Sequence, residues 1–361
     1  MSLDNRLRQG LIGLAEDVDS DVDPNLARVV VKGRRRRLVG MAVAAALCIG
    51  LGAAGLLAIP RLLEDSDGEE LPPAAVETFD PKTPFDLGVE LSAAPDGIAT
   101  ADGSLWVAIP GEERVVRLDA GTGEQEATIA VDGKPCGEPG YLESLGWIWF
   151  ASCGGDEEVW GIDAGENELR TTLVAEGGIA GGSGDRFWTW SNKDHTVNLY
   201  DVEEGRVKKF RVWNTTGIFD GIAWRGKVWV TDEERGVLSP VDQRTGAFPD
   251  IVVGRSAADI EVGLGAVWVA DDVRGTVVKV SPKRKILGRV RIEAAATTID
   301  IVVTGDQVWA RGGSKLVRID PKKLAITEKL RAPGRGDVAA DEGALWLADP
   351  EGDRLLRLPV R

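Results

Sequence analysis

Short apolar segments built around a central tryptophan recur along the C-terminal three quarters of the chain. They read Gly103-Ser-Leu-Trp-Val-Ala108, Gly146-Trp-Ile-Trp-Phe-Ala151, Asp185-Arg-Phe-Trp-Thr-Trp190, Gly226-Lys-Val-Trp-Val-Thr231, Gly265-Ala-Val-Trp-Val-Ala270, Asp306-Gln-Val-Trp-Ala-Arg311 and Gly343-Ala-Leu-Trp-Leu-Ala348. Their tryptophans, Trp106, Trp149, Trp188, Trp229, Trp268, Trp309 and Trp346, are spaced by 43, 39, 41, 39, 41 and 37 residues. After each comes a short polar stretch and then a second apolar run, which in five of the seven copies ends in Asp, as in Val115-Val-Arg-Leu-Asp119 and Leu316-Val-Arg-Ile-Asp320. A Gly-rich turn such as Ala120-Gly-Thr-Gly123 and a further run follow. Runs of this length bounded by Gly and Asp read as strands joined by tight turns. A period near 40 with four short strands per unit predicts an all-β, seven-bladed propeller over residues 85–361, the tryptophans packing between adjacent blades. Where a third strand ends in Asp, that residue reads as a turn former.

The last copy ends at Arg354-Leu-Leu-Arg-Leu-Pro359, one strand short, and Phe85–Leu91 precedes the first copy as a strand without a unit. Pairing the two would hide two open sheet edges. The repeat resembles the YVTN/streptogramin-lyase-like propeller superfamily, whose units read roughly L-W-V-A, a loop, then V-x-R-I-D-P-x-T-G. That resemblance implies the propeller fold. It also implies a lyase or hydrolase as one possible activity, alongside binding and scaffold roles on the same fold.

Upstream of the repeats the pattern changes. Leu38 to Pro60 is an uncharged run of 23 residues, about the length a helix needs to cross a bilayer. Lys32 and Arg34 to Arg37 precede it; Arg61 and the acidic Glu64-Asp-Ser-Asp-Gly-Glu-Glu70 follow. Because basic flanks stay cytoplasmic, residues 1–37 are expected inside as an N-terminal arm, 38–60 as a transmembrane α-helix, 61–84 as an acidic, Pro-containing linker, and the propeller outside the cytoplasm. The arm resembles the juxtamembrane arms of anti-sigma-factor-type bacterial proteins but lacks the His and Cys ligands of their zinc-binding form.

Net charge is −15, which disfavours nucleic acid as a partner. Three cysteines occur without a C-x-x-C pair. Cys136 and Cys153 flank the predicted first two strands of blade 2, so a disulfide between them is expected outside the cytoplasm.

The chemistry-bearing residues are few. A streptogramin-type lyase needs a histidine base with carboxylates holding Mg²⁺, yet His195 is the single histidine. No nucleophile elbow, phosphate loop or metal-ligand spacing is present, so no catalytic residue, metal or cofactor is assigned. Charge gathers instead in the loops between second and third strands, which hold fourteen acidic and seven basic side chains. These loops share a face with the connections between blades. That face is the expected binding surface, through His195, Trp213, Phe219, Asp232, Glu233, Glu234, Asp271 and Asp272. The function expected is a membrane-tethered binding or sensing module for a peptide, glycan or protein. The alternatives are a lyase or hydrolase using His195, and a structural envelope protein.

Overall fold

The computed structural model describes residues 75–78 and most of 85–361. The arm, the apolar run 38–60, Trp213 and Cys153 lie outside the described residues. Among the described residues no helix is long and apolar enough to cross a membrane.

Seven antiparallel sheets follow one another along the chain. Their innermost strands are Ile98–Ala101, Pro135–Leu142, Gly178–Ser183, Gly221–Trp224, Ile260–Gly263, Ile299–Thr304 and Val338–Asp341. Each innermost strand contacts the next, and the seventh contacts the first, so the sheets form a closed ring around an axis. Within a blade the chain steps outward strand by strand. Leu87–Glu90 pairs with Arg354–Pro359 and becomes the fourth strand of blade 7, as the missing strand of the last repeat required. Ala75–Thr78, within the stretch read as linker, pairs with Leu87–Glu90 as a fifth strand on the outside.

Local chemistry explains the two kinds of turn on one face of the ring. The first and second strands are joined by turns in which both central residues have positive φ: Asp102-Gly103 at 49° and 74°, Arg225-Gly226 at 51° and 72°, Leu264-Gly265 at 52° and 76°. Such type I′ geometry suits the strand twist and favours Gly at the second place, which is why Gly opens so many of the tryptophan segments. The third and fourth strands are joined by Asx turns. Oδ1 of Asp119 accepts from the amides of Gly121 and Thr122, and Asp163, Asp201, Asp242 and Asp320 repeat the arrangement. The third-strand Asp residues are turn formers, as expected.

The core is divided among the seven blade boundaries. At each, the tryptophan of one blade packs in a cluster with the residue one position before the tryptophan of the next. The pairs are Trp106 with Ile148, Trp149 with Phe187, Trp188 with Val228, Trp229 with Val267, Trp268 with Val308, Trp309 with Leu345, and Trp346 with Leu105. Six of these tryptophans are fully buried. Trp188 is only half-buried, which departs from the expectation of seven equivalent core positions.

Candidate functional site: an acidic rim on the loop face

The other face carries the loops between second and third strands and the connections from each blade to the next. At the start of five innermost strands stands an aspartate: Asp96, Asp220, Asp259, Asp300 and Asp337. Asp259 feels the charges of Asp220 and Asp300, and Asp337 those of Asp300, Asp96 and Asp220, so these side chains gather into a rim near the inner ends of the blades. The strands then carry Glu261 one pleat further along blade 5, on the same side as Asp259.

The rim is knitted together by backbone amides. Oδ1 of Asp220 accepts from Gly221 N at 2.6 Å, and Oδ1 of Asp259 from Ile260 N at 2.8 Å. The second oxygen of Asp259 crosses a blade boundary to accept from Ile301 N. The carboxyls of Asp220 and Asp259 are neighbours, and the charge of Asp220 disfavours that of Asp259.

Burial, joined at some positions by repulsion between neighbours, holds Asp220, Asp259, Glu261, Asp300 and Asp337 above ordinary carboxylate values. Burial pushes Asp220 up to about 6. Burial raises Glu261 to about 7, with the Asp220 charge adding to it. Asp300 rises to about 7, chiefly by burial, although Arg311 pulls it back. Asp259 and Asp337 are raised well above the normal range, by burial first and then by neighbouring acids.

One cation answers them. Arg311 is 1% exposed. Its guanidinium donates to the carbonyls of Gly336, Ala348 and Pro333 at 2.7–2.8 Å and, more weakly, to that of Asp337. Burial lowers its pKa, and Asp300, Asp349 and Asp337 counter that. Arg311 therefore braces the start of the blade 7 inner strand while offsetting part of the rim charge.

The residues expected from sequence divide into three groups. Asp272 joins the rim: its Oδ1 accepts from Ile299 N of blade 6 at 3.2 Å, and burial, then the charges of Glu233 and Asp271, raise it to about 7. Asp232 and Asp271 are buried braces. Asp232 accepts from Thr215 Oγ1, from the amide and hydroxyl of Thr216 and from Arg235 N, at 2.8–3.0 Å. Asp271 accepts from the amides of Arg255, Ser256 and Arg274 at 3.2 Å. Each ties an incoming connection to its own blade's loop. Glu233, Glu234 and Phe219 are exposed, Phe219 by 42%. Phe219 directly precedes Asp220, and Val273, 53% exposed, directly follows Asp272, so apolar surface sits beside acid at two places on this face.

His195 lies in the blade 3 loop with a positive φ of 55°. Among the described residues its buried Nδ1 finds no hydrogen-bond partner, so none of them orients the imidazole through that nitrogen. Among the described residues no group of three or more His, Cys, Asp or Glu side chains is disposed to hold a metal ion. Cys136 is half-buried on the inner strand of blade 2, opposite Ala151. The arrangement as it stands suits recognition of positive charge, with protonation setting how much negative charge the rim presents.

No protein-family model and no curated protein matches the chain. Solved structures do. A streptogramin B lyase superposes with a TM-score of 0.63 at 15% identity, covering 80% of this chain and 98% of that one. Virginiamycin B lyase from Staphylococcus aureus gives 0.65 at 14%, covering 80% and 100%. The hydrazine synthase of Kuenenia stuttgartiensis gives 0.62 at 11%, covering 75% and 97%. The seven sheets, the Trp-centred repeat and these superpositions identify the fold of this chain as a seven-bladed β-propeller, similar to that of the two lyases.

Proposed function

We propose that this chain is a membrane-tethered, extracytoplasmic binding or sensing module whose ligand docks on the loop face, a cationic group seated at the acidic rim and an apolar part against Phe219 and Val273. The observation that carries this reading is the convergence of Asp220, Asp259, Asp300, Asp337 and Asp272 from four blades onto one mouth, opposed by the single buried Arg311. A peptide or protein bearing Lys or Arg beside an apolar residue has that chemistry. The lyase alternative draws on the shared fold alone.

The test uses a cationic probe. Spermidine titrated into the purified full-length chain should bind more tightly at pH 8 than at pH 5, because the rim carboxylates lose protons across that interval. Binding should weaken with added salt. Asp300→Asn should reduce the affinity, and Glu124→Ser on the opposite face should not. Affinity that is independent of pH and unaffected by Asp300→Asn would overturn the proposal. The tether rests on the charge asymmetry around residues 38–60. A reporter active only outside the cytoplasm should work when fused after Arg361 and be silent when placed before Leu38.

A further inference from the structure

The face opposite the rim carries a second feature. In blades 1, 5 and 6 the core tryptophan is covered by a cation directly across the second and third strands. Arg117 covers Trp106 at 5.2 Å, Lys279 covers Trp268 at 5.1 Å and Arg318 covers Trp309 at 5.7 Å. Arg117 and Lys279 reach further and donate to the carbonyls of Ala164 and Pro321 in the next blade's turn, drawing the two blades together. In blade 3 the residue across from Trp188 is Leu199. Leucine offers no donor to the next blade's turn, and Trp188 keeps part of its indole open, whereas Trp149 and Trp229, facing Gly161 and Pro240, are fully buried.

The result is a cleft of about 340 Å³ between blades 3 and 4, lined by Trp188, Leu199, Trp224, Arg186, Arg225 and Lys227 among others. That volume lies at the small end of the range for small-molecule sites. Its aromatic walls are Trp188, tilted against Phe210 at 5.8 Å, and the half-buried Trp224. Its charge is positive. Arg186 and Lys227 have partners in Asp201 at 3.4 Å and Asp242 at 3.5 Å. The Arg225 guanidinium stacks over Trp224 at 4.6 Å. Among the described residues it pairs with no carboxylate, and the left-handed Arg225 of the type I′ turn holds it at the cleft edge.

We infer that this cleft binds a small planar aromatic anion, its ring against Trp188 and its carboxylate or phosphate on Arg225. Offset aromatic contacts and a charge-assisted hydrogen bond from a planar donor fork favour such a ligand, and the surplus of basic side chains disfavours a cation. The site is separate from the acidic rim in place and in charge.

Calorimetric titration of the full-length chain with naphthoate tests it. Saturable binding to one site is expected, weakened roughly ten-fold or more by Arg225→Ser, which removes one charged donor. Leu199→Arg installs the covering cation found in blades 1, 5 and 6 and should abolish binding. Trp224→Ala, in a surface turn, should also weaken it and serves if Leu199→Arg fails to fold. Naphthylmethylammonium, with the same ring and the opposite charge, should not bind the cleft, so its binding should be insensitive to these three changes. Glu124→Ser, at an exposed position on the same face in blade 1, should leave naphthoate binding unchanged. The inference is overturned if naphthoate shows no saturable binding up to millimolar concentration, or if Arg225→Ser and Trp224→Ala both leave it unaltered.

Discussion

Arg357 donates from Nη1 to Asp86 Oδ2 at 2.8 Å, joining residues 271 positions apart where the ring closes. The pair is partly solvated, with side chains 20% and 42% exposed, so it adds at most about 1 kcal/mol. Closure is held instead by Val89 and Leu355, both fully buried in the cluster between blades 7 and 1. Asp86→Ala should therefore shift the urea midpoint slightly. Val89→Asp places an unpaired charge in that cluster and should abolish cooperative unfolding or lower stability by more than about 3 kcal/mol. Equal effects would show that the ion pair, not the packing, closes the ring.

Trp229→Ala and Trp268→Ala each empty a buried site and should cost about 3–5 kcal/mol in urea unfolding. Trp188→Ala should cost clearly less, because the cleft already leaves that ring half-exposed. A loss at 188 as large as at 268 would mean the cleft is closed in solution.

The rim gives stability a definite pH dependence. Asp220, Glu261, Asp272 and Asp300 have folded values of about 6 to 7, above those of the unfolded chain. The folded state then binds more protons than the unfolded one between about pH 4 and 7. Their contribution is fully present below pH 4 and is lost as pH rises through 6 to 7, so the melting temperature should fall from pH 5 to pH 8. Asp300→Asn should flatten that slope. A melting temperature that rises over the same interval would contradict the burial of these acids.

Asp232→Ser and Glu233→Ser separate bracing from recognition. Removing the Asp232 carboxylate strips several hydrogen bonds from the connection into blade 4 and should cost about 1.5–3 kcal/mol. Glu233→Ser should leave stability nearly unchanged and slow the association of a cationic ligand at low salt.

Cys136 and Cys153 are expected to be linked. Peptide mapping of unreduced protein should recover them in one cross-linked fragment, and free thiols at both positions would refute the link.

The blade architecture was legible because one tryptophan and one turn-forming aspartate recur at a fixed period, and the orphan strand Phe85–Leu91 announced its own partner by being surplus at one end and missing at the other. The loop face was legible as charged. The rim was not. Asp220, Asp259, Asp300 and Asp337 each stand about 40 residues apart in front of an unremarkable apolar strand, and each alone reads as a turn residue. Only ring closure brings them to one mouth. Asp232 and Asp271 show the converse, since acids in charged loops read as exposed, whereas incoming backbone amides bury them. The Trp188 cleft borders on Leu199, an apolar residue in an apolar strand, where blades 1, 5 and 6 carry a cation that covers the tryptophan.

The pairing of Leu87–Glu90 with Arg354–Pro359 also fixes an order of assembly. The strand that seals the ring is made first and its partner last. Six blades can therefore form while the seventh waits with an exposed edge until residues 354–359 have been made. Such long-range pairing is slow and leaves that edge available to wrong partners. A chain that stops short of residue 354 would lose the latch at both ends at once, so a late truncation should be as damaging to the first blade as to the last.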